Sequence, residues 1–308
     1  MTPLRQALKD YLRIRRGLGF GLKEDGRLLE QFVDFLEQAG ASRITTELAL
    51  TWARLPVEAR PCRWRQRLGI VRGFARYLAT INPHSEVPSK DLLPARQPRV
   101  APYIYSPAEI TALMGAARGL TPPLRAASCE TAIGLMAATG VRPGEALALE
   151  RQDIDLHDGA LHVRAGKQRK QREVALKDTT TEALGRYARL RDRHRPRPTT
   201  PAFFLSTQDR PFTKGAFNQA FAQLIRQVGL EGRGQRVRPR AHDLRHTFAV
   251  RTLLDWYRAG EEVDRKMPLL STYLGHADPA STYWYLEAVP ELMALISRRL
   301  ERLPEVLS

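Results

Sequence analysis

Five prolines fall within residues 83–102, at Pro83, Pro88, Pro94, Pro98 and Pro102, in a stretch with little apolar periodicity. Proline fixes φ, removes a backbone donor and disfavours helix at the residue before it, so neither a long helix nor a central strand runs through such a segment. The chain is therefore expected to fold as two blocks, and its 308 residues are enough for each to bury a core of its own. The boundaries read from this are a domain over 1–90, a linker over 91–102 and a second domain over 103–308.

The first block is helical by its spacing. Leu4, Leu8, Tyr11 and Leu12 share one helix face, as do Leu28, Leu29, Phe32, Phe35 and Leu36. A third run, Glu47 to Ala53, follows the cap residues Thr45 and Thr46, and a fourth holds Leu68, Ile70, Val71, Phe74 and Leu78. The second block opens on Ser106-Pro107-Ala108-Glu109, a helix start with an N-cap serine, a proline at the first helical position and an acid in the first turn. An apolar helix over Ala126–Thr139 stops at Gly140. Strand-like runs at Asp153–Leu156 and Ala160–Arg164 flank the turn His157-Asp158-Gly159, with a third at Glu173–Leu176. Helices are expected again at Lys214–Val228, Ala241–Tyr257 and Pro290–Leu303. The fold class is α+β and mostly α, with one small antiparallel sheet in the second block.

Charge narrows the partner. Forty-nine Lys and Arg against thirty-three Asp and Glu leave +16 at pH 7, an excess suited to a polyanion whose phosphates release counterions on contact. No apolar run reaches the roughly 18–20 residues that span a bilayer, and the N-terminal stretch has no signal-peptide core, so a cytoplasmic protein without a membrane partner is expected. Cys62 and Cys129 are the only cysteines and show no paired zinc-ligand spacing; no metal site and no cofactor is expected.

The chemistry concentrates in three segments. Ala138-Thr139-Gly140-Val141-Arg142-Pro143-Gly144-Glu145 places an arginine beyond a helix end, with a carboxylate three residues on. Gly166-Lys167-Gln168-Arg169-Lys170-Gln171-Arg172 is a basic turn between strands. His242-Asp243-Leu244-Arg245 is followed by Leu274-Gly275-His276 and, nine positions later, by Tyr285. Breaking a phosphodiester without metal needs a nucleophile, cations on the non-bridging oxygens and an acid for the leaving alkoxide. Arginine, histidine, lysine and tyrosine supply all three. Taken singly, each residue has a plain structural use: Arg142 as a turn cap, His242 and Arg245 as two groups on one helix face, Tyr285 as core.

In this order and spacing, with the wordings Ala-Thr-Gly, His-Asp-Leu-Arg-His-Thr and Leu-Gly-His, the segments resemble the tyrosine recombinase (phage integrase) family. The resemblance implies a helical core-binding domain that contacts DNA, followed by a catalytic domain, together clamping double-stranded DNA at a recombination site. It implies that Tyr285 attacks the scissile phosphate to give a 3′-phosphotyrosyl link and a free 5′-hydroxyl. Arg142 and Arg245 then clamp the non-bridging oxygens, His242 and His276 assist, Lys167 protonates the leaving oxygen and Glu145 supports. Arg169, Lys170 and Arg172 are implied DNA contacts on the same hairpin. Gln168 stands where the family's turn carries glycine, which leaves Lys170 as the rival to Lys167; the count from His276 favours Tyr285 over Tyr283. A homotetramer on two duplexes, alone or with sister recombinases, is implied, and the wording around Tyr285 resembles recombinases of mobile elements, hence DNA integration or transposition. Two alternatives stay open at this stage: a type IB topoisomerase, and a DNA-binding derivative without activity.

Overall fold

The computed structural model describes residues 2–93, 101–164, 171–230, 238–276, 278, 280–288 and 293. The chain divides into two compact units, Met1–Arg99 and Val100–Ser308.

The first unit contains helices α1 (Pro3–Gly17), α2 (Lys23–Gln38), α3 (Thr46–Arg54) and α4 (Pro61–Ala79). Thr2 and Thr45 cap α1 and α3, their hydroxyls accepting from the backbone N–H groups of Arg5 and Leu48. The apolar faces read from the sequence meet in one cluster, with Leu8, Leu29, Phe32, Leu36, Trp52, Phe74 and Leu78 buried. Each such side chain contributes about 1.5–3 kcal/mol by leaving water. Arg67 is buried among them: its guanidinium lies 3.6 Å over the Trp52 ring and donates 2.9 Å to the Trp52 carbonyl, so its charge is met by a π face and a dipole.

In the second unit, α5 (Pro107–Arg118) begins with the expected capping box: the Glu109 N–H donates to Ser106 Oγ, and the Ser106 N–H returns to the Glu109 carboxylate. Helix α6 (Pro123–Thr139) is apolar on several sides, and α5, α8 (Asp178–His194) and α10 (Asp243–Arg258) all pack on it. It ends at Gly140, which has φ 65°. The one-turn helix α7 (Pro143–Ala146) follows.

Strands β1 (Ile154–Asp155), β2 (Ala160–Val163) and β3 (Arg172–Ala175) form an antiparallel sheet in that order. In its register Leu161 faces Ile154 on one side and Val174 on the other, and all three are buried, so one face of the sheet closes over the core. The turn between β1 and β2 is held by Asp155, whose carboxylate accepts from the N–H groups of His157 and Asp158. Helices α9 (Lys214–Gln227), α11 (Val263–Leu274) and α12 (Ala280–Ala288) complete the described elements, and β3 packs against α11.

Most expected elements lie within a residue or two of these. The helix expected from Ala241 starts at Asp243, because Arg240 and Asp243 close the preceding turn: Asp243 is fully buried and accepts from the N–H and guanidinium of Arg240. The helix expected over Pro290–Leu303 lies outside the described residues, apart from position 293. Among the described residues no helix is long and apolar enough to cross a membrane.

Gly140 sets where α6 stops and where the next segment goes. A Cβ there would stand 2.5 Å from Cδ1 of Phe248 and 3.1 Å from Cδ2 of Leu274, on a backbone that L side chains rarely adopt. Gly140→Ala should cost at least about 2 kcal/mol, combining left-handed strain with overpacking. Urea denaturation measures this; a loss below about 0.5 kcal/mol would contradict the assignment.

Candidate active site

The site is built on the C-terminal end of α11. Gly275, with φ 65°, turns the chain out of the helix; its N–H bonds to the Thr272 carbonyl and that of His276 to Ser271. The carbonyls of the last turn have no helical partner, and they carry the negative end of the helix dipole. Three arginines from distant parts of the sequence answer them. Arg172 Nε donates 2.8 Å to the Tyr273 carbonyl. Arg142 donates to the carbonyls of Leu274, at 3.3 Å, and Gly275, at 3.0 Å. Arg245 donates 2.6 Å to the Leu274 carbonyl and, from its other terminal nitrogen, 2.9 Å to the carbonyl of Gly140.

Arg245 thus bridges the C-terminal ends of α6 and α11, and it is only 1% exposed. Burial, then the charge of Arg142, pushes its pKa down to about 9, opposed by Tyr285 and Glu145; the group stays cationic at neutral pH. One carboxylate balances the cluster. Glu145 accepts 2.7 Å from Arg142 Nη1, 3.0 Å from the Arg142 N–H and 2.7 Å from Arg172 Nη2. Burial works against its charge, but the hydrogen bonds from Arg172 and Arg142 prevail and hold its pKa down to about 2.

The histidines and the tyrosine gather on the neighbouring face. Helix α12 carries Tyr285 inward, 1% exposed, where its Oη lies 2.8 Å from Nδ1 of His246 on α10. The rings of His246 and Tyr285 meet edge-on at 5.4 Å, and the His276 ring stacks on Tyr285 at 6.3 Å. His276 is fixed by a 2.6 Å hydrogen bond between its Nδ1 and Oγ1 of the fully buried Thr282, one turn before Tyr285 on α12. His242, at the N-cap of α10, meets His246 edge-on at 4.8 Å. Its ring reaches solvent, yet crowding by protein and the charges of Arg245, Arg240, Arg142 and Lys214 lower its pKa. His246 is pushed further, to about 3, by burial first and then by His242, Arg240, Arg245 and His276. Both rings are neutral at pH 7.

The structure therefore brings Arg142, Glu145, Arg245, His242, His276 and Tyr285 into one cluster. His242 and Arg245, three residues apart at the start of α10, differ in burial. His242 caps the helix and meets solvent, whereas Arg245 points into the unit. Tyr283 is 43% exposed, turned away from the buried Tyr285. Arg172, expected at the DNA backbone, instead spends its described hydrogen bonds on Glu145 and Tyr273. Lys167, Arg169 and Lys170 lie outside the described residues. Sequence reasoning passed over His246 and Thr282. His246 stands one turn after His242 on the same helix, a spacing that puts both rings on one face.

The second unit matches the phage integrase family over residues 105–291. Integrase/recombinase y4rB of Sinorhizobium fredii, a candidate by its own description, is 42% identical over 310 residues, covering 98% of each chain. The XerC tyrosine recombinase of Azotobacter vinelandii is 29% identical over 234 residues, covering 76% of this chain and 72% of its own. Among solved structures, the Tn1549 transposon integrase in complex with transposon right end DNA superposes with TM-score 0.66 at 17% identity, over 98% of this chain and 99% of that one. The XerH recombinase bound to difH DNA, in a post-cleavage complex, gives 0.66 at 18% identity, over 97% and 85%. The chain belongs to the phage integrase family, the tyrosine recombinases, and is a site-specific DNA recombinase.

Glu145→Gln removes the anion that holds Arg142 and Arg172 together, and should destabilise the protein by about 3 kcal/mol at pH 7. The folded pKa, about 2, lies below the ordinary 4.5. The stabilisation is therefore complete above pH 4.5 and is lost as pH falls towards 2. Stability of both forms measured across that window should converge on the acid side; a constant difference would show that charge is not its source.

Proposed function

We propose that the protein cuts and rejoins DNA by transesterification through a 3′-phosphotyrosyl link on Tyr285. The observation that carries this reading is the Tyr285 hydroxyl held against His246, on the helix that also carries Arg245. Tyr285 attacks the scissile phosphorus, and Arg142 and Arg245 neutralise the non-bridging oxygens. His242 and His276 donate hydrogen bonds at the edge of the same site, and Glu145 fixes Arg142. Lys167 protonates the departing 5′-oxygen, and Arg169 and Lys170 on the same turn contact backbone phosphates. One phosphoester replaces another, so no ATP is consumed, and the next 5′-hydroxyl reverses the step to seal the new junction.

The net charge of +16 supports double-stranded DNA as the partner, and residues 1–90 as a core-binding domain in contact with it. Four protomers, of this chain alone or with sister recombinases, hold two duplexes in the cytoplasm at the nucleoid. Likeness to y4rB and to the Tn1549 integrase supports a mobile element as the setting, in integration or transposition.

Trapping on nicked duplexes that carry the recombination site tests this reading. Tyr285→Phe should abolish the covalent adduct with DNA affinity nearly unchanged, and Tyr283→Phe should retain it. Arg142→Ala should slow adduct formation by about a hundredfold or more, the scale of one preorganised contact to a phosphoryl oxygen. Cleavage should persist in chelator. Adducts surviving in Tyr285→Phe, or a strict magnesium requirement for cleavage, would contradict the mechanism.

A further inference from the structure

A described hydrogen bond of the nucleophile goes to a histidine outside the set carried over from the family resemblance. His246 Nδ1 lies 2.8 Å from Tyr285 Oη, whereas His276 makes a ring contact with Tyr285 and gives its Nδ1 to Thr282. The His246 ring is part-buried and braced on three sides, by His242 at 4.8 Å, Trp284 at 5.8 Å and Tyr285 at 5.4 Å, so it has little room to turn away. Attack by a phenol requires that its proton leave, and a phenol of ordinary pKa near 10 does not lose it to water at neutral pH.

We propose that His246 is the proton acceptor for Tyr285, taking the phenol proton at Nδ1 as the phosphotyrosyl bond forms and returning it when the bond is resealed. This rests on the cleavage reading above. In the step, the bond from Tyr285 Oη to phosphorus forms and the bond from phosphorus to the 5′-oxygen breaks. The phenol proton passes to His246, giving imidazolium, and the 5′-oxygen takes a proton from the leaving-group acid. Resealing reverses each transfer, so no proton is gained or lost over the cycle.

The charges around the ring explain when it acts. Facing it are His242, Arg245 and the Arg240 turn from its own helix, His276 from the end of α11 and Tyr285 from α12; Arg142 and Glu145 lie behind Arg245. Without DNA, burial and these cations keep the imidazole neutral, with Nδ1 2.8 Å from the phenol oxygen. A phosphodiester seated on Arg142 and Arg245 adds negative charge beside the ring, and more develops as phosphorus becomes five-coordinate. Imidazolium is then stabilised in the step that forms it. Base strength therefore rises only when substrate is in place.

The test separates proton transfer from positioning. Asparagine at 246 still accepts a hydrogen bond from the phenol and fills much of the same space, but it takes no proton. Adduct formation on nicked DNA is followed from pH 6.5 to 10 in the full chain, in wild type, His246→Ala and His246→Asn, with DNA affinity measured alongside. Both variants should cleave about a hundredfold or more slower than wild type at pH 7, with affinity within a few-fold of wild type. The deficit should shrink as pH rises towards 10, where hydroxide in solution competes with a protein base for the phenol proton. Wild-type rates in either variant at pH 7 would overturn the proposal. So would rescue by Asn alone, which would make the ring a positioning group, or a deficit that does not change with pH. Absence of any adduct in wild type would instead sink the cleavage reading itself.

Discussion

The Leu274 carbonyl accepts from both Arg142 and Arg245, and this shared oxygen is the contact on which the site depends. It holds donor nitrogens of two guanidinium groups within about 6 Å of each other, where at an effective dielectric of 20 two unit charges repel by about 3 kcal/mol. Left alone, the pair would separate. The end of α11 prevents this by presenting a row of carbonyls at the negative pole of a helix, and Glu145 adds a full anion between Arg142 and Arg172. The cluster is preorganised by groups that cannot move without unwinding α11 or parting it from α6. In the proposed cleavage, an arriving phosphate meets cations already in position, and little reorganisation opposes binding.

The same construction governs the nucleophile. Gly275 ends α11 in a left-handed turn and α12 packs against α11, so the carbonyls that seat the arginines and the helix that carries Tyr285 are neighbours. Thr282 ties His276 to the first turns of α12, and His246 meets the hydroxyl from α10. Cations and neutral imidazoles occupy adjacent faces because burial first, and then the nearby arginines, keep His242 and His246 unprotonated. His242 and His246 are therefore neutral hydrogen-bonding groups at pH 7.

Much of this was legible from local rules. The capping box at Ser106, the stop at Gly140, the turn at His157-Asp158-Gly159 and the helical stripes of the first unit follow from residue preferences that act over a few positions. The two tyrosines that the sequence sets two residues apart differ in burial, Tyr285 inside and Tyr283 exposed. What stayed hidden depends on distant partners. Nothing near Arg172 in sequence indicates that it turns inward to Glu145, 27 residues earlier, and to the Tyr273 carbonyl, 101 residues later. His246 lay in plain view inside His-Asp-Leu-Arg-His-Thr, but its hydrogen bond forms only because α12 brings a hydroxyl to it from 39 residues away. The start of α10 at Asp243 likewise depends on an ion pair between the buried Asp243 and the exposed Arg240 that helix propensity does not register.

The central claim is that this cluster makes Tyr285 the residue that becomes joined to DNA. Its most direct measurement is to trap the wild-type protein on nicked DNA, digest the adduct with nuclease and protease, and identify the nucleotide-bearing peptide by mass spectrometry. The expected product is a nucleotide linked through its 3′-phosphate to the phenol oxygen of Tyr285. A nucleotide on Tyr283 or on any other side chain, or a link through a 5′-phosphate, would contradict it.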